Sequence, residues 1–207
     1  MEMDMKVAII GGTGRAGQEI SAELARRGHQ VTAIARHPEK AVQHAAITAV
    51  AGDVNHPEAL VAAITGHDVV VSAVMFSDTD PASLVDVVRQ SGVPRYLVVG
   101  GAASLEVAPG VPLISTPEFP KEYLPEASRG KAFLDYLRGV DDIDWTYVSP
   151  SVFFFVGPRT GRFRLGTDQL LSDADGKSSI SFADYAIALV DEIETPRHSR
   201  QRFTVGY

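Results

Sequence analysis

The sequence of 207 residues contains no cysteine. Disulfide bonds, a catalytic thiolate and cysteine-ligated metals are therefore excluded. The six histidines are scattered, and none of them pairs at the spacing that metal ligands show. We accordingly predict no metal site.

An excess of positive charge is also lacking, since 19 Lys and Arg side chains stand against 26 Asp and Glu, for a formal net charge of -7. Proteins that bind nucleic acids through the phosphates normally carry the opposite sign. Long apolar runs are missing too, because the stretch 69–76 is far too short to span a bilayer. The first residues lack the basic start of a secretory signal. We therefore expect a cytoplasmic protein with neither a nucleic-acid nor a membrane partner.

Apolar segments rich in Val and Ile alternate with helical patterns in the first half of the sequence. Such strands separated by helices are typical of a parallel sheet covered on both faces, and right-handed crossovers make it doubly wound. The length and the 45% hydrophobic content suit one domain over residues 1–207, with an α/β Rossmann-type fold and a small C-terminal lobe on the substrate side. The predicted strands are 7–10, 31–35, 47–51, 68–74 and 95–99, and the predicted helices are 15–27, 57–65 and 81–90.

The second half of the sequence is less regular. Several prolines between residues 102 and 120 predict a long loop, and long loops in compact domains are often functional. We assign the substrate side of the protein mainly to 102–125 and 150–181. The remaining predicted elements are a helix at 125–138, a strand from 145 to 150, a helix at 182–194 and a last strand at 202–205.

Two clusters in this half have ambiguous roles. The consecutive aromatics Phe153, Phe154 and Phe155 offer a stacking surface for a planar ligand. Consecutive side chains cannot all face one way, so at least one of them is expected in the core. The basic cluster 197–202 is predicted to be a solvated turn.

A glycine-rich segment follows the first predicted strand and opens the first helix, with G-x-G-x-x-G beginning at Gly12. Glycines in this context allow a tight turn and let the backbone approach a pyrophosphate, and the helix N-terminus directs free N–H groups at that anion. The alternative is a glycine-rich turn that binds nothing. The residues predicted to hold a dinucleotide here are Gly11, Thr13, Gly14, Arg15, Ala16 and Gly17.

The end of the second strand distinguishes the two nicotinamide dinucleotides. Proteins that bind NAD(H) usually place an acidic residue there for the ribose 2′-hydroxyl, whereas this sequence has Arg36. A guanidinium is suited to a 2′-phosphate, so we predict NADP(H) as the preferred cofactor and keep NAD(H) as an alternative. Arg36 as an ordinary solvated side chain is the other interpretation.

The ends of the other strands supply the remaining predicted cofactor contacts. Asp53, followed by Val54, is placed at the adenine, although it could equally cap the helix near Pro57. The ribose and nicotinamide are expected to pass the end of the fourth strand and then the ends of the fifth and sixth. The residues assigned to that path are Ser72, Ala73, Val74, Gly100, Pro150 and Ser151.

Taken together, these motifs resemble the atypical short-chain dehydrogenase/reductase group, in particular the compact NAD(P)H-binding proteins related to NmrA and biliverdin reductase B. Some members are named NADH-flavin reductases. The resemblance covers nearly the whole sequence and implies a Rossmann fold, NAD(P)H binding and reductase activity. It is carried by 11–14, Arg36, 52–54, 99–102, 144–150 and 160–166.

The sequence departs from the wider family at one important pattern. Most short-chain dehydrogenases use a Tyr-x-x-x-Lys pair to exchange a proton with the substrate, but Tyr123 is followed at that spacing by Ala127, and Tyr136 by Val140. Reduction of a flavin or a similar planar acceptor tolerates this loss, because solvent can supply the proton. The resemblance therefore implies cofactor binding more strongly than carbonyl reduction.

Three residues are candidates for catalysis. Ser104 follows the fifth strand, near the position at which the superfamily often places a catalytic serine, and Lys131 resembles a helix lysine that some NmrA relatives place beside the nicotinamide. Tyr123 is a candidate cavity wall or weak proton donor. The alternatives are a loop serine that bonds the backbone and a lysine on a solvated helix face.

Two functional hypotheses follow. The first is an NADPH-dependent oxidoreductase that reduces a flavin, a quinone or a similar planar acceptor, which would be its small-molecule partner. The second is an NmrA-like protein that senses NADP(H) without turnover and acts on a regulatory protein partner. A nucleotide-sugar epimerase is a weaker third hypothesis, because that chemistry normally relies on the missing pair. The sequence leaves a homodimer open.

Overall fold

The computed structural model describes residues 4–207, and twelve strands, five α-helices and four short 3₁₀ helices are found in that part of the chain. The strands are β1 (Lys6–Ile10), β2 (Gln30–Ala35), β3 (Ile47–Ala51), β4 (Val69–Ser72), β5 (Arg95–Val99), β6 (Glu106–Ala108), β7 (Val111–Pro112), β8 (Asp144–Pro150), β9 (Phe153–Phe155), β10 (Arg164–Gly166), β11 (Ser179–Ser181) and β12 (Gln201–Gly206). The helices are α1 (Arg15–Arg26), α2 (Pro57–Ile64), α3 (Pro81–Ser91), α4 (Leu124–Leu137) and α5 (Phe182–Glu194).

Eight of these strands form a central sheet in the order β10-β12-β8-β5-β4-β1-β2-β3. All neighbours in the sheet run parallel except β10, which pairs antiparallel with β12 at one edge. The chain moves outward from β1 to β2 and β3, and then returns to the other side of β1 at β4. Ligands of open parallel sheets bind in the crevice at the carboxyl ends of the strands where the order reverses in this way. The predicted α/β Rossmann-type fold is confirmed.

Helices cover both faces of the sheet because side chains alternate along each strand. In β1, Val7 and Ile9 belong to the core under α1 and α5, whereas Ala8 and Ile10 belong to the core under α2, α3 and α4. A strand buried on both faces has no polar side, which explains why β1 and β4 are apolar along most of their length.

The helix boundaries follow local chemistry. Pro57 and Pro81 occupy the first positions of α2 and α3, where a missing N–H costs nothing. Asp80 caps α3 by accepting a hydrogen bond of 2.9 Å from the amide of Ser83. Gly92 ends that helix with a left-handed φ of 70°, which glycine adopts without strain. The predicted bounds of α2, α3 and α5 match the structure to within one residue.

Two predictions for the second half of the chain are wrong in part. The segment 102–120 is not only a loop, because β6 and β7 form a hairpin within it. The segment 197–202 is not wholly a solvated turn, because Arg202 lies in β12 with its side chain only 3% exposed. Its guanidinium is buried against Asp168 and serine hydroxyls that lie far away in sequence. None of the helices within residues 4–207 is long and apolar enough to cross a membrane.

Candidate functional site

Two cavities lie side by side at the carboxyl edge of the sheet, and Met75, just after β4, lines both. The first, here called the cofactor groove, has a volume of about 630 Å³ and is built from the segments that follow β1, β2, β3 and β4. Of the residues predicted to hold a dinucleotide, it is lined by Gly11, Thr13, Gly14, Arg36, Asp53, Val54, Ala73 and Val74.

The glycine segment after β1 needs glycine at some positions for packing. Gly11 has a φ of +86°, and a Cβ there would lie 2.4 Å from the carbonyl oxygen of Ala73. A Cβ on Gly17 would lie 2.3 Å from the carbonyl oxygen of Gly11, so α1 could not approach the loop. These glycines let the helix and the turn come together at the crevice.

Gly14 differs from its neighbours because its added Cβ would meet nothing closer than 3.4 Å. Its φ of -72° and ψ of 169° are open to any residue. Packing and backbone conformation therefore do not require glycine at this position. Because Gly14 lines the cofactor groove, a side chain at this position would lie at the groove wall.

Gly14 is also the N-cap of α1, and it has no side chain to cap the helix. The first turn contains no acidic residue, and amides in a first turn have no intrahelical partner. The backbone N–H groups of Arg15, Ala16 and Gly17 are therefore left without an intrahelical partner, as are the amides that bind anions at other helix N-termini. None of these three residues lines the groove with a side chain: Arg15 is exposed, Ala16 packs on the core, and Gly17 is buried and has no side chain.

The far end of the groove carries three basic side chains, Arg36, His37 and Lys40. Arg36 is 68% exposed and lies 4.0 Å from Asp78, which lines the groove after β4. Sequence reasoning found Arg36 and missed His37 and Lys40, although both follow the same strand within five positions. A guanidinium and an ammonium group close together, as in Arg36 and Lys40, are suited to a phosphate monoester.

The region predicted to hold the adenine contains Asp53, which accepts hydrogen bonds of 2.9 Å from the backbone amide and from Nδ2 of Asn55. These bonds, the amide one foremost, lower the pKa of the Asp53 carboxyl. His56, not Asp53, is the N-cap of α2. The capping alternative for Asp53 is therefore wrong, and the carboxylate shapes the turn that lines the groove.

The structure does not bring Ser72 into the groove. Its side chain is buried beneath the sheet edge, and its hydroxyl bonds the hydroxyl of Tyr96 at 2.9 Å. Successive side chains of a strand point to opposite faces, and Ser72 belongs to the face covered by α3. The cofactor groove is lined instead by the next two residues, Ala73 and Val74.

The second cavity, here called the acceptor cavity, has a volume of about 620 Å³ and predominantly apolar walls. All three catalytic candidates, Ser104, Tyr123 and Lys131, line it. So do three residues assigned by sequence to the cofactor path, which are Gly100, Pro150 and Ser151. The remaining walls include Phe76, Leu113, Phe119, Val152 and Phe154.

The polar groups of the acceptor cavity are largely paired within the protein. Lys131 Nζ donates to Asp135 at 2.6 Å, and the Ser151 hydroxyl donates to the carbonyl of Val205 at 3.1 Å. Tyr123 is 63% exposed at the rim. Ser104 accepts a hydrogen bond of 3.2 Å from the guanidinium of the buried Arg202.

Sequence reasoning missed Tyr147, which forms part of the cavity wall. Its hydroxyl accepts a hydrogen bond from the amide of Gly101 and donates one to the carbonyl of Gly130, both at 3.0 Å. Burial raises the pKa of Tyr147 well above its usual range. The hydroxyl is therefore a fixed structural link between β8, α4 and the turn after β5.

The three consecutive aromatics divide as their alternation requires. Phe154 faces the cavity and packs on Phe182 and Tyr185. Phe153 and Phe155 stack on each other, and Phe153 is 54% exposed. Of the three rings, Phe154 therefore both packs in the core and forms part of the cavity wall.

Comparison with known proteins identifies close relatives over the full length of the chain. YwnB of Bacillus subtilis is 43% identical, with 97% of this chain and 98% of that protein covered. A crystal structure from Burkholderia pseudomallei, of a protein provisionally named an exported protein, is 45% identical with a TM-score of 0.88, covering 98% of this chain and all of that one.

A crystal structure from Streptococcus pneumoniae, of a protein provisionally named an NADH-flavin reductase, is 37% identical with a TM-score of 0.84 and covers 98% of this chain and 99% of that one. The model of the NAD(P)H-binding family matches residues 11–196. That range contains the glycine segment, all residues that line the two cavities except Ile10, and all three catalytic candidates. The chain belongs to this NAD(P)H-binding family, within the atypical short-chain dehydrogenase/reductase group that includes NmrA-like proteins.

Proposed function

We propose that this protein is an NADPH-dependent reductase of planar acceptors such as quinones or flavin rings. The observation that carries the proposal is the pair of adjoining cavities, one lined by the glycine turn and basic side chains, the other with apolar walls. Bound NADPH would supply a hydride to an acceptor held beside it. Hydrophobic cavities with a few placed polar groups are the usual sites for such ligands.

The cofactor groove offers distinct contacts for each part of a dinucleotide. In this proposal the amides of Arg15, Ala16 and Gly17 bind the pyrophosphate at the N-terminus of α1. Arg36, with His37 as a neighbour, binds the 2′-phosphate and so favours NADPH over NADH. The nicotinamide end lies toward Met75, where the two cavities meet.

The charges of the residues that line the acceptor cavity determine which acceptors it favours. Its titratable lining residues are Glu118, Tyr123, Glu126, Lys131 and the buried Tyr147, and the lysine is already paired with Asp135. A charged phosphate tail therefore finds no free cation among these residues, which favours a neutral ring. Ser104 donates a hydrogen bond to the acceptor, Tyr123 forms the rim, and Lys131 is left in a supporting role.

In this proposal residues 1–207 act as one NAD(P)-binding domain in the cytoplasm, and 102–125 and 150–181 supply most of the acceptor side. The relative from Burkholderia pseudomallei is provisionally named an exported protein. Fractionation of the native host cells tests the cytoplasmic location directly.

A second candidate function is NADP(H) sensing without turnover. It is favoured by the engagement of Lys131 with Asp135, because that pair leaves no free ammonium among the described residues that line the acceptor cavity. The absent Tyr-x-x-x-Lys pair points the same way. Such a protein would act through a regulatory protein partner rather than through a product.

The proposal is tested by measuring the oxidation of NADPH, and in parallel of NADH, with menadione, riboflavin, FMN, FAD or biliverdin as the acceptor. The reductase predicts turnover with NADPH, fastest with the uncharged rings menadione and riboflavin. Tight, saturable NADPH binding without turnover on any acceptor would contradict it and support the sensor. Faster turnover with NADH than with NADPH would contradict the cofactor assignment alone.

A further inference from the structure

A buried arginine lies directly behind the acceptor cavity. Arg202 in β12 is held by Asp168, whose Oδ1 accepts from Arg202 Nε at 2.8 Å. Its Nη1 points toward two serine hydroxyls, at 3.2 Å from Ser104 Oγ and 3.4 Å from Ser149 Oγ. A guanidinium carries only donors and keeps its charge at all ordinary pH values. It can therefore only donate to these hydroxyls.

This contact fixes the role of the Ser104 hydroxyl. A serine hydroxyl has one hydrogen and two lone pairs, and Arg202 occupies one lone pair. Among the described residues, the Ser104 hydrogen finds no protein acceptor within hydrogen-bonding distance. Because Ser104 lines the acceptor cavity, that hydrogen is free to be donated to a ligand. A hydroxyl that accepts from a cation is also a stronger donor, since bonds in a chain polarise one another.

We propose that Arg202 is a positioning residue that orients and polarises Ser104 as the hydrogen-bond donor to a carbonyl oxygen of the acceptor. The inference rests on the proposed reductase function and specifies the acceptor as an aromatic carbonyl compound. As a hydride from NADPH reduces the ring, negative charge collects on its carbonyl oxygen, and Ser104 stabilises that charge. Water supplies the proton that completes the reduction, so Ser104 keeps its own.

A second buried arginine provides a matched comparison. Arg95 in β5 is also nearly inaccessible, and it bonds Asp144, Thr146 and Glu192 at the opposite, amino edge of the sheet. Removing either arginine leaves buried acceptors without a donor, so both should lower stability. Only Arg202 contacts a residue of the acceptor cavity. Replacement of Arg95 therefore measures how much activity is lost when a buried arginine is removed without any change at the acceptor cavity.

The test is a double-mutant cycle with Ser104→Ala, Arg202→Met and the combined variant, with Arg95→Met as the control. Turnover is measured with menadione at saturating NADPH, and binding is measured by quenching of lumichrome fluorescence on the NADP⁺-loaded protein. Each single variant is expected to lower kcat about 10-fold, the size of one hydrogen bond to a polarised donor. The combined variant should be no slower than Ser104→Ala alone, and Arg95→Met should keep the wild-type kcat.

If Arg202→Met does not fold, Asp168→Asn provides a milder test of the same contact. The Asp168 side chain is 54% exposed, so Asp168→Asn weakens the anchor of Arg202 without opening the core. It should lower kcat in the presence of Ser104 and have no further effect in the Ser104→Ala background. Effects of Arg202→Met or Asp168→Asn that are equal with and without Ser104 would overturn the proposal.

The two readouts separate this inference from the proposed function. Lumichrome binding that depends on Ser104 and Arg202 as a coupled pair, without oxidation of NADPH, would contradict the reductase and support the positioning role. Turnover with additive effects of the two substitutions would overturn the positioning role and leave the reductase standing. A wild-type protein that neither binds lumichrome nor oxidises NADPH would overturn both.

Discussion

Glu126 Oε1 accepts a hydrogen bond of 2.7 Å from the backbone amide of Phe76, which joins α4 to the turn that follows β4. The second carboxylate oxygen accepts from the amide of Ser77 at 2.8 Å. This turn lies between the two cavities, since Ser77 lines the cofactor groove and Phe76 the acceptor cavity. One carboxylate therefore holds the partition between the two proposed binding sites.

Replacement of Glu126 by Ala should loosen that partition. Both amides lose a charge-assisted partner, so hydrogen exchange at Phe76 and Ser77 should accelerate, and the free energy of unfolding should fall by about 1–3 kcal/mol. The KM for NADPH and for the acceptor should both rise. Glu122→Ala, on the exposed turn before α4, serves as the control. Unchanged exchange at the two amides would show that the carboxylate does not hold the turn.

Replacement of Arg36 by Ala should remove most of the preference for NADPH. Charge-assisted hydrogen bonds to the 2′-phosphate are lost, which corresponds to about a 10- to 100-fold weaker affinity for NADPH. Affinity for NADH should barely change, because NADH lacks that phosphate. Lys40→Ala should show the same selectivity with a smaller loss. Isothermal titration with both cofactors makes the comparison, and an equal loss for both would mean that Arg36 is structural.

Replacement of Tyr147 by Phe should destabilise the protein more than replacement of Tyr96 by Phe. Loss of the Tyr147 hydroxyl leaves the amide of Gly101 and the carbonyl of Gly130 without their partner, at a cost of about 1–3 kcal/mol. The Tyr96 hydroxyl bonds a single side-chain group, the hydroxyl of Ser72, so its loss leaves one partner unpaired instead of two. Urea denaturation of both variants compares them, and equal losses would argue against the linking role of Tyr147.

Stability should depend on pH through Glu23, a buried carboxylate in α1. Burial alone would raise its pKa, but hydrogen bonds from Arg159 and Arg27 outweigh burial and lower it below the ordinary 4.5. The stabilisation is therefore complete above the unfolded pKa and is lost as the pH falls through the lower folded pKa. Glu23→Gln should be less stable than wild type at neutral pH and should lose less stability on acidification. Urea midpoints at pH 7 and near pH 3 measure this, and parallel losses would contradict the assignment.

The sequence predicted features whose determinants are local. The position of the glycine segment and of Arg36 at the groove, and the boundaries of α5, each depend on residues that are adjacent in the chain, so a local pattern was enough to locate them. The environment of Arg202 depends on Asp168 and Ser104, which lie 34 and 98 positions away, and no local pattern reports such contacts. Strand alternation could have warned that Ser72 points away from the groove.

Titration of NADPH into a Gly14→Val variant tests the central claim, that the turn after β1 binds the pyrophosphate of a dinucleotide. Gly14 has room for a Cβ and a permitted backbone conformation, so the variant should fold with a near wild-type Tm. Its side chain would occupy the space beside the N-terminus of α1 that the phosphates need. Gly139→Val, at an exposed glycine with similar space around its Cβ, is the matched control and should bind normally. We predict that folded Gly14→Val shows no NADPH binding by isothermal titration calorimetry, whereas wild-type affinity in that variant would contradict the claim.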